Sequence, residues 1–292
     1  MEQVTYIFFK IFKFIINLIP ERINYYLAHG LGSLLYYVVK ERRELAVKNI
    51  KSSLNVSDSR AQELAKEVFQ DLALKFVEIL QLEQKSLTEL KENVTVEGEE
   101  YLKEIYQSEK GAVLFTGHFG NWELLGVYLS AVGYPITAIA RDYKNDYIYE
   151  EVMKIRQSKG AEVFNRSEIK KALKALLRQK FLLILGDQDA HQDGEFMQFF
   201  DRPASTPLGP VKLAQRSNSY IVPIYLVREG FNDYRLIVKE PLEIAKDAPL
   251  EEQRDVLQQL TTSLEAVIRD YPSQWLWVHR RWKTKIEGGR ND

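Results

Sequence analysis

Cysteine does not occur in the 292-residue chain, which excludes disulfides, thiolate catalysis and cysteine-held zinc. Histidine is scarce: His29, His118, His191 and His279 lie far apart and form no HExxH pair, so no metal site is expected. Neither sign of charge prevails, because 40 Lys and Arg face 41 Asp and Glu for a net charge of -1. A chain so balanced offers no overall field for nucleic acid, and any anion site must be local. GxSxG, the signature of a serine nucleophile elbow, is missing, as are internal repeats and low-complexity linkers. What remains is a chain long enough to bury a full core, read as one α/β domain behind an N-terminal addition.

The N-terminus holds the most apolar segment, VTYIFFKIFKFIINLIP from Val4 to Pro20, interrupted by Lys10 and Lys13. It is short for a clean span of about 20 residues, and no small-residue cleavage pattern follows it. The composition predicts an interfacial anchor whose lysine stems reach toward headgroups while its aromatic face enters lipid. AHGLGSLLYYVV, from Ala28, adds apolar surface, and KERR at Lys40 to Arg43 would face the cytoplasmic leaflet. The plainer alternative is a pair of greasy helices packed on the domain itself.

A third helical stretch follows, with Ala65, Val68, Phe69, Leu72, Phe76, Ile79 and Leu80 at helical spacing. Beyond Lys91 the pattern changes to short β-rich runs: GAVLFT from Gly111, PITAIA from Pro135, AEVF from Ala161, FLLILGD from Phe181, SYIVPIYLV from Ser219 and YRLIVKE from Tyr234. Amphipathic helices lie between most of them, as in SEIKKALKALLRQ. Strands alternating with helices predict a mostly parallel central sheet flanked by helices on both faces. The expected division is an N-terminal membrane-anchoring helical segment, residues 1–52, and a catalytic domain, residues 53–292, with its sheet beginning near Asn93.

His118 sits between the GAVLFT strand and the NWELLGVYLSAVG helix, outside the carboxyl end of a strand, where open α/β sheets bind ligands. Glu123 falls in the first turn of that helix, favoured there by the macrodipole and able to reach back over the loop. Gly117 and Gly120 permit a tight turn. A histidine held in one tautomer by a carboxylate is a general base for a hydroxyl. The plainer alternative is that His118 caps the turn and Glu123 satisfies a helix N–H.

HFGNWE resembles the His-x4-acid motif of the lysophospholipid acyltransferase superfamily, in the form used by the lipid A lauroyl/myristoyl acyltransferases of Gram-negative inner membranes. The similarity covers nearly the whole chain: ERRELAVKNI, HFGNWE, LGDQD, FFDRPASTPLGPVKLA, IVPIYLVR and QWLWVHRRWK occur in the family's order. It implies a glycerolipid acyltransferase-like fold on the cytoplasmic face of the inner membrane. It also implies that His118, oriented by Glu123, deprotonates a hydroxyl of an anionic lipid A precursor, which attacks the thioester of an acyl carrier protein. No cofactor or metal is implied. Related acceptors, such as a lysophospholipid, an ornithine lipid or a mannosylated phosphoinositide, stay open, as does a non-catalytic lipid binder. The FPEGTRS-like block of the glycerophosphate branch is replaced by GDQDAHQDGEF.

The resemblance assigns Arg156 to holding the reacting groups. Arg141 and Arg166 follow strand-like runs and are candidates to grip phosphates bidentately, although each arginine reads equally as a solvated charge. Asn121, between His118 and Glu123 in HFGNWE, is a further substrate-binding candidate. Asp187 and Asp189 end another apolar strand, placed to hold the arginines or shape the acceptor pocket. Ser205 or Thr206 is expected as an N-cap with Pro207 inside the helix, an end where a phosphate can bind. In QWLWVHRRWK, Trp275, Trp277 and Trp282 interleave with His279, Arg280, Arg281 and Lys283. Such interleaving suits a membrane interface, or a surface for the carrier protein or a sugar phosphate.

Overall fold

The computed structural model describes residues 2–140 and 145–286. Four helices come first: α1 (Glu2–Leu18), α2 (Glu21–Val38), α3 (Lys40–Leu54) and α4 (Asp58–Gln81). Pro20, with no N–H to continue α1, opens α2. Asn55, at φ 51°, closes α3 in the left-handed conformation asparagine tolerates, and the Ser57 hydroxyl accepts from the Arg60 N–H to start α4. The lone third helical stretch read from the sequence is therefore α4, and KERR opens a further helix, α3, that runs across residue 52.

Then follow α5 (Leu87–Glu92), β1 (Val94–Glu97), α6 (Glu99–Gln107), β2 (Ala112–Thr116), α7 (Trp122–Ala131), β3 (Ile136–Ala140), α8 (Asp146–Gln157) and β4 (Glu162–Asn165). The chain continues through α9 (Ile169–Leu176), β5 (Phe181–Leu185), β6 (Glu195–Phe199), β7 (Arg202–Thr206), α10 (Gly209–Ser217), β8 (Tyr220–Gly230), β9 (Asp233–Val238) and α11 (Leu250–Asp270). Seven strands form one sheet in the order β1-β9-β8-β2-β5-β3-β4. Every neighbouring pair is parallel except β8 and β9. The mostly parallel sheet expected from the sequence is the one observed. The edge strand β1 and the separate β6-β7 hairpin carry no apolar run long enough to announce them.

Strand alternation divides the core. Ala112 and Leu114 of β2 pack with α5 to α8 on one face, while Val113 and Phe115 pack with α9 to α11 on the other. A third cluster joins Ile50 and Val68 of the N-terminal helices to Tyr225, Trp275 and Trp277. Helix α4 is packed on several sides, so of the stripe read from its sequence Ala65, Val68, Phe69 and Leu80 are buried, whereas Phe76 is 45% exposed.

Helix α1 reverses the expected disposition of its lysines. Lys13 Nζ lies 2.7 Å from Glu83 and 3.4 Å from the buried Glu151 of α8, and Lys10 lies 3.5 Å from Glu151. Lys13 therefore faces the protein, and the half-exposed Lys10 leans toward the same carboxylate. Val4, Ile7, Phe8, Ile11, Phe14 and Leu18 face outward, joined by Tyr26, Leu27, Leu34 and Val38 of α2. Burying Glu151 requires countercharge, which the lysines supply together with Lys154 at 2.9 Å. Among the described residues no helix is long and apolar enough to cross a membrane.

Candidate functional site

Strands β2 and β5 pair in parallel with Thr116 opposite Leu185. Two residues further on, at the shared carboxyl edge, His118 and Asp187 meet. His118 Nδ1 lies 2.7 Å from Asp187 Oδ1, and the His118 backbone N–H donates to Asp187 Oδ2 at 2.8 Å. Trp275 Nε1 donates to the same Oδ2 at 2.8 Å. Burial raises the Asp187 carboxyl, but the imidazole, the His118 N–H and the indole outweigh it and push the group down from 3.8 to about 2. In a neutral ring, the tautomer that donates to this carboxylate carries its proton on Nδ1 and leaves the Nε2 lone pair free. Gln188 Nε2 lies 3.3 Å from it, and the Trp122 ring stands edge-on to the imidazole at 5.0 Å.

Backbone geometry keeps this loop tight. Gly120 has φ +52°, and a Cβ there would sit 1.7 Å from the Leu226 carbonyl oxygen, so only glycine fits. A Cβ on Gly117 would press on the Asp187 carboxylate at 3.1 Å. The C-terminal segment straps the loop down: Gly120 N–H donates to Gln274 O, and Leu276 N–H donates to His118 O. His279, its basicity lowered chiefly by burial, accepts from the Asp189 N–H at 3.4 Å.

Glu123 does not orient His118. Its carboxylate accepts from Arg156 Nε at 2.8 Å and from Nη2 at 2.5 Å, a two-pronged pair joining the first turn of α7 to the last turn of α8. Arg156, expected beside the reacting groups, is thus a partner of Glu123, and the carboxylate on His118 comes from the loop that follows β5. Spacing along a helix cannot reveal a partner on a neighbouring strand about 70 residues away in sequence; the β2-β5 register supplies it.

Asn121 is committed rather than open to substrate. Its Oδ1 caps α7 by accepting from the Leu124 N–H at 3.1 Å, and its Nδ2 donates to Glu78 Oε2 at 2.9 Å. Glu78 is also held by both Nη atoms of Arg228 and by the Tyr234 hydroxyl. Asp71, next in this network, lies 3.1 Å from Lys75 Nζ, which sits 4.5 Å from the centre of the Trp122 ring. Burial lowers the Lys75 pKa. Asp71, Lys75 and Glu78 escape the sequence reading because they fall in a helix with a clear apolar stripe. Their signal is the i, i+4 and i, i+3 polar spacing along one face, 71 to 75 to 78.

The remaining candidates scatter. Arg166 is exposed just past the end of β4. Asp189 holds Thr284 through its hydroxyl at 2.8 Å, not an arginine. Thr206 ends β7 rather than capping a helix; α10 starts at Gly209, and Pro210 is its early proline. The Thr206 hydroxyl instead accepts from Arg281 Nη2 at 2.6 Å. Arg280 is an exposed partner of Glu41 at 2.7 Å. The expected aromatic and basic surface of QWLWVHRRWK does not form, because Trp275, Trp277 and Arg281 are buried in the strap. Arg141 lies outside the described residues. Among the described residues no group of three or more His, Asp or Glu side chains is arranged to hold a metal ion.

A family model for bacterial lipid A biosynthesis acyltransferases matches residues 2–284. The lipid A biosynthesis lauroyltransferase of Escherichia coli is 24% identical over 276 residues, covering 92% of this chain and 88% of the relative. The palmitoleoyltransferase of the same organism is 23% identical over 274 residues, with the same coverage. A phosphatidylinositol mannoside acyltransferase of Mycolicibacterium smegmatis is 25% identical over 186 residues, covering 62% of this chain and only 60% of its own length. With the family model running across nearly all of the chain, the protein belongs to the bacterial lipid A biosynthesis acyltransferases.

Proposed function

We propose that the protein transfers a fatty acyl chain from an acyl carrier protein thioester to a hydroxyl of a lipid A precursor, at the surface of the inner membrane. The observation that carries this reading is the His118–Asp187 pair at the carboxyl edge of the sheet. Nε2 of His118 takes the proton of the acceptor hydroxyl, whose oxygen attacks the thioester carbon; collapse breaks the C–S bond and expels the thiolate, which takes that proton from the imidazolium. Asp187 stabilises that imidazolium while the proton is in transit. Glu123 and Arg156 fix the start of α7, the helix on which the motif ends. The lipid A relatives match over 92% of this chain and 88% of their own, against 62% and 60% for the mannoside relative, which favours a lipid A precursor over a mannosylated phosphoinositide.

Membrane attachment, in this reading, is made by the outward apolar rows of α1 and α2, lying in the interface rather than crossing it. The deciding experiment incubates purified protein with acyl carrier protein thioester and a panel of lipid acceptors, and follows the products by mass spectrometry. Acylated lipid A precursor with wild type, and none with His118→Ala, supports the reading. Acylation confined to mannosylated phosphoinositide would replace the acceptor, and turnover unchanged in His118→Ala would remove the mechanism.

A further inference from the structure

With Trp275, Trp277 and Arg281 buried, the C-terminal segment offers little surface to an acyl donor, and a stronger candidate lies elsewhere. From Arg166 to Lys180 the sequence holds six basic residues and one acidic one, in a chain whose net charge is -1. Helix α9 carries Lys170, Lys171 and Lys174, and Arg166, Arg178 and Lys180 flank its two ends. Lys170, Lys171, Lys174 and Arg178 are exposed, while Ala172, Ala175 and Leu176 face the core. Glu168 pairs with Lys171, and Glu162 pairs with Lys180. Among the described residues Arg166, Lys170, Lys174 and Arg178 have no ion-pair partner, so their charge is directed at solvent. Ile169 and Leu177, 43% and 60% exposed, stand among them.

We propose that this face of α9 is the docking surface for an acidic acyl carrier protein. The proposal rests on the thioester-transfer reading above and adds where the donor lands. Position supports it: α9 follows β4, which lies three strands from β2, or roughly 14 Å at the usual strand spacing. Arg166 stands at the carboxyl edge that also carries His118. Orientation supports it as well. Helices α9 to α11 cover one face of the sheet, whereas α1 packs on α4 and on α8 of the other. A carrier on α9 therefore approaches from the side away from the apolar rows of α1. Two exposed apolar side chains within a basic field suit the rim and anchor of a protein contact. They are few beside the outward rows of α1 and α2, so the membrane is the less fitting occupant.

The test substitutes Lys170→Glu, Lys174→Glu and Arg178→Glu together, with the three glutamine replacements as a second variant and circular dichroism to verify folding. Binding of fluorescently labelled acyl carrier protein is followed by anisotropy, and turnover is compared between the carrier thioester and an acyl N-acetylcysteamine thioester. The expected result is a Kd and a KM for the carrier raised at least about tenfold, a smaller rise with glutamine, and loss of salt dependence. Turnover of the small thioester should not change. Carrier binding unchanged in the glutamate variant would overturn the proposal. So would unchanged carrier binding together with weaker retention on phosphatidylglycerol vesicles, which would give this face to the membrane. If wild type turned over neither thioester, the acyl-transfer reading would fall, and the anisotropy titration would still decide the docking surface.

Discussion

Arg156 grips both carboxylate oxygens of Glu123, at 2.8 and 2.5 Å, so the acid of HFGNWE ties α7 to α8 and leaves His118 to Asp187. The two helices meet through a planar fork that lysine cannot reproduce. Glu123→Gln and Arg156→Lys should each lower turnover, and the double variant should be little worse than the more damaged single. The coupling expected from a double-mutant cycle on turnover is about 1–3 kcal/mol. Simple addition of the two losses would show that Glu123 and Arg156 act separately.

Asp187 and His118 should behave as one unit. Replacing Asp187 by Asn keeps the shape but removes the charge that fixes the tautomer and supports the imidazolium, and turnover should fall at least about a hundredfold. His118→Ala with Asp187→Asn should cost little beyond His118→Ala alone. Near-normal kcat in Asp187→Asn would assign the carboxylate to structure only.

Acid sensitivity follows from the same carboxylate, pushed down to about 2 in the fold from 3.8. Between those values the unfolded chain binds a proton that the folded chain does not, so stability rises with pH across the window and is lost on acidification. Its full contribution, on the order of 2 kcal/mol, is present above about pH 4. Urea unfolding of wild type between pH 2 and 5 should show a steeper decline than Asp187→Asn. Parallel curves would contradict the ionised, triply bonded Asp187.

The outward face of α1 and its inward lysines should separate cleanly. Phe8→Asp with Phe14→Asp, both at exposed positions, should release the protein from phosphatidylglycerol vesicles with stability changed by no more than about 0.5 kcal/mol each. Lys10→Met with Lys13→Met should do the reverse, because Glu151 loses two of its three cations; a loss of roughly 1–3 kcal/mol is expected. Vesicle co-sedimentation and urea midpoints check both. Retained sedimentation of the aspartate variant in high salt would place the lipid contact elsewhere.

The sheet was legible in the sequence because a strand covered on both faces must be a short apolar run, and Ala112–Thr116, Ile136–Ala140 and Phe181–Leu185 each declare themselves in that way. The position of His118 was legible for a related reason: a residue just past the end of such a run lies at the carboxyl edge of the sheet. Composition likewise marked α1 as unusually apolar. It left open which way the lysines turn, since Glu151 lies on α8, more than 130 residues onward. Partners of that kind belong to the tertiary structure. Parallel register brings Asp187 to His118, helix packing brings Arg156 to Glu123, and a returning strap buries Trp275 against the carboxylate. Local sequence records what a residue can do over one turn of helix or one strand pair. Charge pairing across the fold depends on which surfaces are driven together by burial of the core, and only the folded chain decides that.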